Sequence, residues 1–169
     1  MSHILVVDDE EAVCWALKKA LTQEGHSVAV AASAEEALDV IPLCSPDVVL
    51  MDIQLPGLSG IECIRQLKSM SPNLEIMMLT VLEDHERIFQ SLAAGAGGYL
   101  IKKTSPVRLL EAIDELHKGG APMSCQIARQ IVEAFQDPQT RENASPDPDR
   151  KSTRLNSSHG KLSRMPSSA

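Results

Sequence analysis

Five short apolar runs, at residues 3–7, 27–31, 47–51, 75–79 and 97–101, are each separated from the next by a segment of different periodicity. The runs are often β-branched and end in polar or turn residues, as strands buried between two layers of helix do. Between them the apolar period changes to three and four. Val13, Ala16, Leu17, Ala20 and Leu21 line one helix face; Ile61, Ile64 and Leu67 line a second; Leu109, Leu110, Ile113 and Leu116 line a third. Helix starts are marked by Ser33 with Glu36, Ser59 with Glu62, and Ser105 before Pro106, and Gly25 marks a stop. A strand followed by a helix, five times over, predicts an α/β fold: a doubly wound, five-stranded parallel sheet with helices on both faces. Aromatic residues are only 2% of the chain, so its core must be aliphatic.

The chemistry-bearing residues collect at strand ends. "ILVVDDEE" runs from apolar strand into Asp8, Asp9, Glu10 and Glu11, and "VVLMD" ends in Asp52. Acids there can simply complement the dipole of the following helix. In an open α/β sheet, however, ligands bind beyond the carboxyl ends of the strands at the topological switch point. With the flavodoxin-like strand order 2-1-3-4-5, Asp8, Asp9 and Asp52 meet in one crevice. Converging carboxylates repel unless a cation joins them, and Mg²⁺, a hard cation that prefers oxygen, suits the set. Thr80 ends the fourth run and Lys102 follows the fifth. A hydroxyl and an ammonium beside a carboxylate–metal cluster make a phosphoryl site, with Asp52 as nucleophile. Each residue alone has a duller reading as a cap or turn; five at one sheet edge share the phosphoryl reading.

The net charge of -7 argues against a nucleic-acid surface in this chain. Cys14, Cys44, Cys63 and Cys125 are widely spaced, without a metal-ligand pattern, and read as reduced thiols of a cytoplasmic protein. No signal peptide and no apolar run of membrane-spanning length is present, so no membrane partner is expected.

The motifs "ILVVDDEE", "DVVLMDIQLPGLSGIE", "MMLT" and "AAGAGGYLIKKTSP" resemble the receiver domain of bacterial two-component response regulators over roughly residues 3–118. The resemblance implies Asp52 as phosphoacceptor, and Asp9, Asp52 and the main-chain carbonyl of Gln54 as Mg²⁺ ligands, with Asp8 acting nearby through water. It implies Thr80 and Tyr99 as a switch pair, Tyr99 turning inward on phosphorylation, and Lys102 as the phosphate-sensing cation. Glu10 and Glu11 are then first-turn helix residues. A sensor histidine kinase or phosphotransfer protein is the implied phosphodonor, and homodimerisation on phosphorylation an implied consequence. Such a chain is a phosphoacceptor rather than a turnover enzyme. Two positions depart from the family pattern: Val81 stands where Ala or Gly is usual, and Lys103 where Pro is frequent. A haloacid-dehalogenase-like phosphatase also uses a strand-end Asp with Mg²⁺, but needs a second Asp where this chain has Gln54. A flavodoxin-like binding module needs a phosphate-cradling loop, and "DDEEAV" would repel a phosphate.

The predicted organisation is a receiver at 1–120, a connector helix and linker at 121–148, and a tail at 149–169. The connector, with a helix starting near Ser124, resembles the stretch that leads to a LuxR-type helix-turn-helix domain. The segment "DDEEAVCWALKKALTQEGH" looks more like regulators of the enhancer-binding class. The tail "DRKSTRLNSSHGKLSRMPSSA" back-translates to a short-read sequencing adapter and is expected to be disordered and without function. On that reading a DNA-binding output domain is missing. DNA is a partner of the full-length product but not of this fragment; a stand-alone receiver is the alternative.

Overall fold

All five runs are strands of one parallel sheet in a computed structural model of the chain, which describes residues 1–81 and 84–137. The strands are β1 (His3–Val7), β2 (Ser27–Ala31), β3 (Val48–Met51), β4 (Glu75–Thr80) and β5 (Gly98–Ile101), in the order β2-β1-β3-β4-β5. Their helices are α1 (Glu11–Gln23), α2 (Ala34–Cys44), α3 (Gly60–Met70), α4 (His85–Ala94), α5 (Pro106–His117) and α6 (Cys125–Gln136). Predicted and observed strand ends differ by at most one residue. The described chain falls into a unit of Met1–Ala134 and a second beginning at Phe135, of which only residues 135–137 are described. The tail at 149–169 and most of the predicted linker lie outside the described residues.

The sheet divides its side chains between two apolar layers, as the strand period of two requires. Leu5, Val7, Val49, Met51, Ile76, Met78 and Tyr99 face the layer that also holds residues of α2, α3 and α4. Ile4, Val6, Val48, Leu50, Met77, Leu79 and Leu100 face the layer with Cys14 and Leu21 of α1 and Leu109, Ala112, Ile113 and Leu116 of α5. Strands buried on both faces have no polar face, which explains the unbroken apolar runs of β1, β3 and β4; the edge strand β2 is half-exposed. The aliphatic expectation holds, with Tyr99 the aromatic among the fully buried side chains.

The local signals act as expected. Ser33, Ser59 and Ser105 each accept from the backbone N–H three residues on, satisfying donors that a helix start leaves open. Gly25, at φ +85°, ends α1. Helix α2 holds Pro42 within its last turn, which sequence reading did not anticipate.

At one sheet edge, the parallel strand signal extends past the fifth run. Residues 122–124 lie beside β5: Tyr99 N–H donates to the Pro122 carbonyl (2.9 Å), and Ser124 N–H donates to the Tyr99 carbonyl (3.1 Å). Proline is tolerated at such an edge because only its carbonyl is needed. Helix α6 follows, with Ile127 buried in the layer that holds Tyr99.

The cysteines give a direct check of the packing. All four are free thiols; Cys14 and Cys63 are buried, Cys44 half-buried and Cys125 exposed. Burial pushes the Cys63 thiol up to about 12, so about one part in ten thousand is thiolate at pH 8. Native alkylation at pH 8, read by peptide mass, is expected to label Cys125 first and leave Cys63 unlabelled until the protein unfolds. Rapid native labelling of Cys63 would contradict this packing.

Candidate phosphoryl site

The register of the sheet brings the acids together. Val7 of β1 pairs with Met51 of β3, so Asp8 and Asp52, the next residue on each strand, leave the sheet side by side. Thr80 pairs with Ile101, which puts Lys102 at the same edge. The main chain holds these exits firmly: Asp8 N–H donates to the Ala31 carbonyl (3.1 Å), Asp52 N–H to that of Val7 (3.0 Å), and Lys102 N–H to that of Thr80 (2.9 Å).

Asp8 (3% exposed) and Asp52 (4%) are buried, while Asp9 is exposed. One carboxylate oxygen from each of the three lies within 4.8 Å of the others. The Lys102 ammonium reaches Asp8 Oδ2 at 2.7 Å and Asp52 Oδ2 at 3.0 Å. Burial alone would lower the Lys102 pKa; its hydrogen bonds to Asp8 and Asp52 outweigh that and hold it above its usual value. Asp52 is raised by burial, which Lys102 only partly offsets. Asp8 has two further contacts: Oδ1 accepts from Glu10 N–H (2.9 Å), and the Asp8 carbonyl accepts from the Cys14 thiol (3.2 Å).

Asp52 Oδ1 is buried and has no hydrogen-bond partner among the described residues. A buried carboxylate oxygen left bare costs free energy that a cation or an incoming electrophile would recover. The donor set is all oxygen, which fits Mg²⁺. Gln54 lines a cleft of about 560 Å³ that also includes Asp9, Ser59 and Arg87.

Thr80 is fully buried at the end of β4, and Tyr99 is fully buried in β5. Tyr99, expected to turn inward only on phosphorylation, already lies inside here, in one apolar cluster with Ile88 of α4 and Ile127 of α6. Burial, followed by the negative charge of Asp52, raises its hydroxyl pKa, so it is a neutral phenol. Val81 is 54% exposed, and no cis peptide occurs among the described residues, the bond after Lys102 included.

One participant was missed by sequence reading. Glu10, expected to serve only as a first-turn helix residue, is the N-cap of α1, and its carboxylate also lies 3.2 Å from the Lys102 ammonium. Nothing in "DDEE" separates the acid that reaches across to the fifth strand end from its neighbours. A second unanticipated constraint is Gly60, the first residue of α3. A Cβ there would press on the Asp52 carbonyl oxygen and sit 3.1 Å from Ile53 Cα. A glycine lets α3 start directly on the backbone that carries Asp52.

Residues 4–114 match the family model described as the response regulator receiver domain, which is about two-thirds of the chain. The chain belongs to the response regulator receiver family. LnrK, a transcriptional regulatory protein of Bacillus subtilis, is 31% identical over 134 residues, covering 78% of this chain and 61% of LnrK. The response regulator MprA of Mycolicibacterium vanbaalenii is 38% identical over 120 residues, covering 71% of this chain and 52% of MprA. This receiver chain therefore spans between about half and three-fifths of the length of these relatives. Among solved structures, a LuxR-family two-component response regulator from Aurantimonas matches with a TM-score of 0.76 at 31% identity, over 81% of this chain and 99% of that one. The Vibrio cholerae chemotaxis protein CheY4 matches with a TM-score of 0.65 at 29% identity, over 68% and 98%. Among the described residues, no helix of the receiver is long and apolar enough to cross a membrane.

Proposed function

We propose that this receiver accepts a phosphoryl group on Asp52, from a sensor histidine kinase or phosphotransfer protein of the cytoplasm, and passes the change to a transcription-regulating output. The observation that carries the reading is the state of the Asp52 carboxylate. One oxygen is held by Lys102, and the other is buried without a well-formed hydrogen bond among the described residues, the Gln54 N–H lending the carboxylate a weaker contact. That is a nucleophile fixed in direction before its substrate arrives.

Asp9, Asp52 and the Gln54 main-chain carbonyl would hold Mg²⁺, with Asp8 reaching it through water. When bound, the ion supplies positive charge that offsets the crowding of carboxylate and phosphoryl oxygens. The chain's own residues do the rest. Asp52 Oδ1 attacks phosphorus, a new P–O bond forms, and the bond to the donor breaks with its electron pair leaving on the donor. Lys102, already charged and held between Asp8 and Asp52, turns part of its hydrogen bonding to a phosphoryl oxygen. Thr80 and Tyr99 respond as the switch pair, a local electrostatic change that biases a two-state element. Two phosphorylated copies associating as a homodimer, and DNA binding by a longer product, belong to the same proposal; DNA binding is supported by LnrK, which is described as a transcriptional regulatory protein.

Acetyl phosphate with Mg²⁺, followed by intact-protein mass, tests the reaction. The expected result is one phosphoryl group per chain, none in excess EDTA, and no sustained release of phosphate. Rapid steady turnover of p-nitrophenyl phosphate, with no phosphoryl group retained, would instead point to a phosphatase.

A further inference from the structure

The β5 edge carries more than a strand end. Its two outward donors are both occupied by the segment that follows α5: Tyr99 N–H by the Pro122 carbonyl (2.9 Å), and Ile101 N–H by Ser124 Oγ (3.2 Å). Ser124 N–H returns a bond to the Tyr99 carbonyl (3.1 Å), and Tyr99 and Met123 form a parallel bridge. The approach is close enough to need a glycine. A Cβ on Gly98 would lie 2.9 Å from Pro122 Cγ and 3.0 Å from its carbonyl oxygen. Three residues after Ser124, Ile127 is fully buried in the cluster that contains Tyr99, and Ile131 packs against that cluster. The same residue, Tyr99, thus anchors the strap by its main chain and sits in the cluster beneath α6 by its ring.

The ring carries an open demand. Its hydroxyl is buried and has no hydrogen-bond partner among the described residues. An inward Tyr99 held without that bond depends on its apolar surroundings, and Ile127 of α6 belongs to the same apolar cluster. If residues 122–124 left β5 and drew α6 with them, Tyr99 and Ile101 would lose their edge partners and the cluster that holds the ring would lose Ile127 together. The two events form one cooperative unit. A cleft of about 320 Å³ lined by Val81, Ile101, Lys103, Thr104, Ser124 and Gln126 runs between the residue after Thr80 and the strap. It gives the strap room to shift beside the strand end that responds to the site.

We propose that residues 122–134 are an intramolecular lid on the switch: docking of 122–124 as a sixth edge strand on β5 and inward packing of Tyr99 are one state, which phosphorylation tightens. The inference rests on the phosphoryl-site reading above, in which the phosphorylated form favours Tyr99 inward. Coupling of this kind is reciprocal. A phosphoryl group on Asp52 strengthens the lid, and a weakened lid lowers the affinity of the site for a phosphoryl mimic.

Hydrogen exchange of the full chain tests it, with and without beryllofluoride and Mg²⁺ as the mimic. The amides of Tyr99, Ile101 and Ser124 are expected to exchange at least about fivefold more slowly with the mimic bound. Gly98→Ala, which pushes on Pro122, is expected to speed exchange at Ser124 and to weaken beryllofluoride binding by a similar factor. Ser124→Ala, which removes only the Oγ acceptor, is a milder variant expected to move both readouts in the same direction, and it stands in if Gly98→Ala does not fold. Unchanged or faster exchange at these three amides, with the mimic demonstrably bound, overturns the lid. Failure of beryllofluoride to bind the native chain sinks the phosphoryl-site reading and the lid with it.

Discussion

Lys102→Met is expected to lower the unfolding free energy in Mg²⁺-free buffer by about 3 kcal/mol. The Lys102 side chain is 8% exposed, and its ammonium lies 2.7 Å from Asp8, 3.0 Å from Asp52 and 3.2 Å from Glu10. Methionine keeps the length and apolar stem of the side chain and removes only the charge. Asp8 and Asp52 are then left buried, close together and without a counter-ion among these groups. Removing one partner of a buried pair typically costs about 3–5 kcal/mol, and the lower figure applies here because the site opens toward solvent at Asp9. Saturating Mg²⁺ should return much of the loss, since it replaces one cation by another among the same oxygens. Urea unfolding in EDTA and in Mg²⁺ reads both effects. A variant as stable as wild type in EDTA would mean that the carboxylates do not depend on Lys102.

Gly60→Ala is expected to be the most disruptive single methyl at the site. The added Cβ meets backbone, the Asp52 carbonyl and Ile53 Cα, and no flexible side chain that could swing away. Either α3 or the Asp52 loop must shift. Overpacking of this kind costs about 1–3 kcal/mol. The larger effect falls on chemistry, because a displacement on the order of 1 Å at a positioned nucleophile slows reaction about a hundredfold. Acetyl phosphate labelling rates, compared with the denaturation midpoint, separate the two. Wild-type labelling by a correctly folded Gly60→Ala protein would show that the loop tolerates the shift.

Much of this molecule was legible in its residues. The central strands β1, β3 and β4 are buried on both faces and so are apolar almost throughout, and the edge strands β2 and β5 keep short apolar runs, so all five were visible and their ends accurate to a residue. Asp8, Asp52, Thr80 and Lys102 were legible because strand register alone carries them to one edge. Features that depend on side-chain reach or on a few backbone bonds were not. Glu10 looks like any acid at a helix start until the Lys102 side chain is placed across from it. Residues 122–124 form a single parallel bridge that includes a proline, too short for any period to register. The buried position of Tyr99 is shared with a cluster drawn from several helices and strands, Ile88 and Ile127 among them, so it could not be read from "GYLI" alone.

The central claim is that Asp52, among the clustered acids of this receiver, forms the acyl phosphate. Borohydride reduction of the acetyl phosphate-treated protein converts an aspartyl phosphate to homoserine, and peptide sequencing by mass locates it. The account predicts homoserine at position 52 alone, with Asp8 and Asp9 unmodified and no conversion in Asp52→Asn. Homoserine at position 8 or 9 in the wild-type protein, or equal labelling of Asp52→Asn, would contradict it.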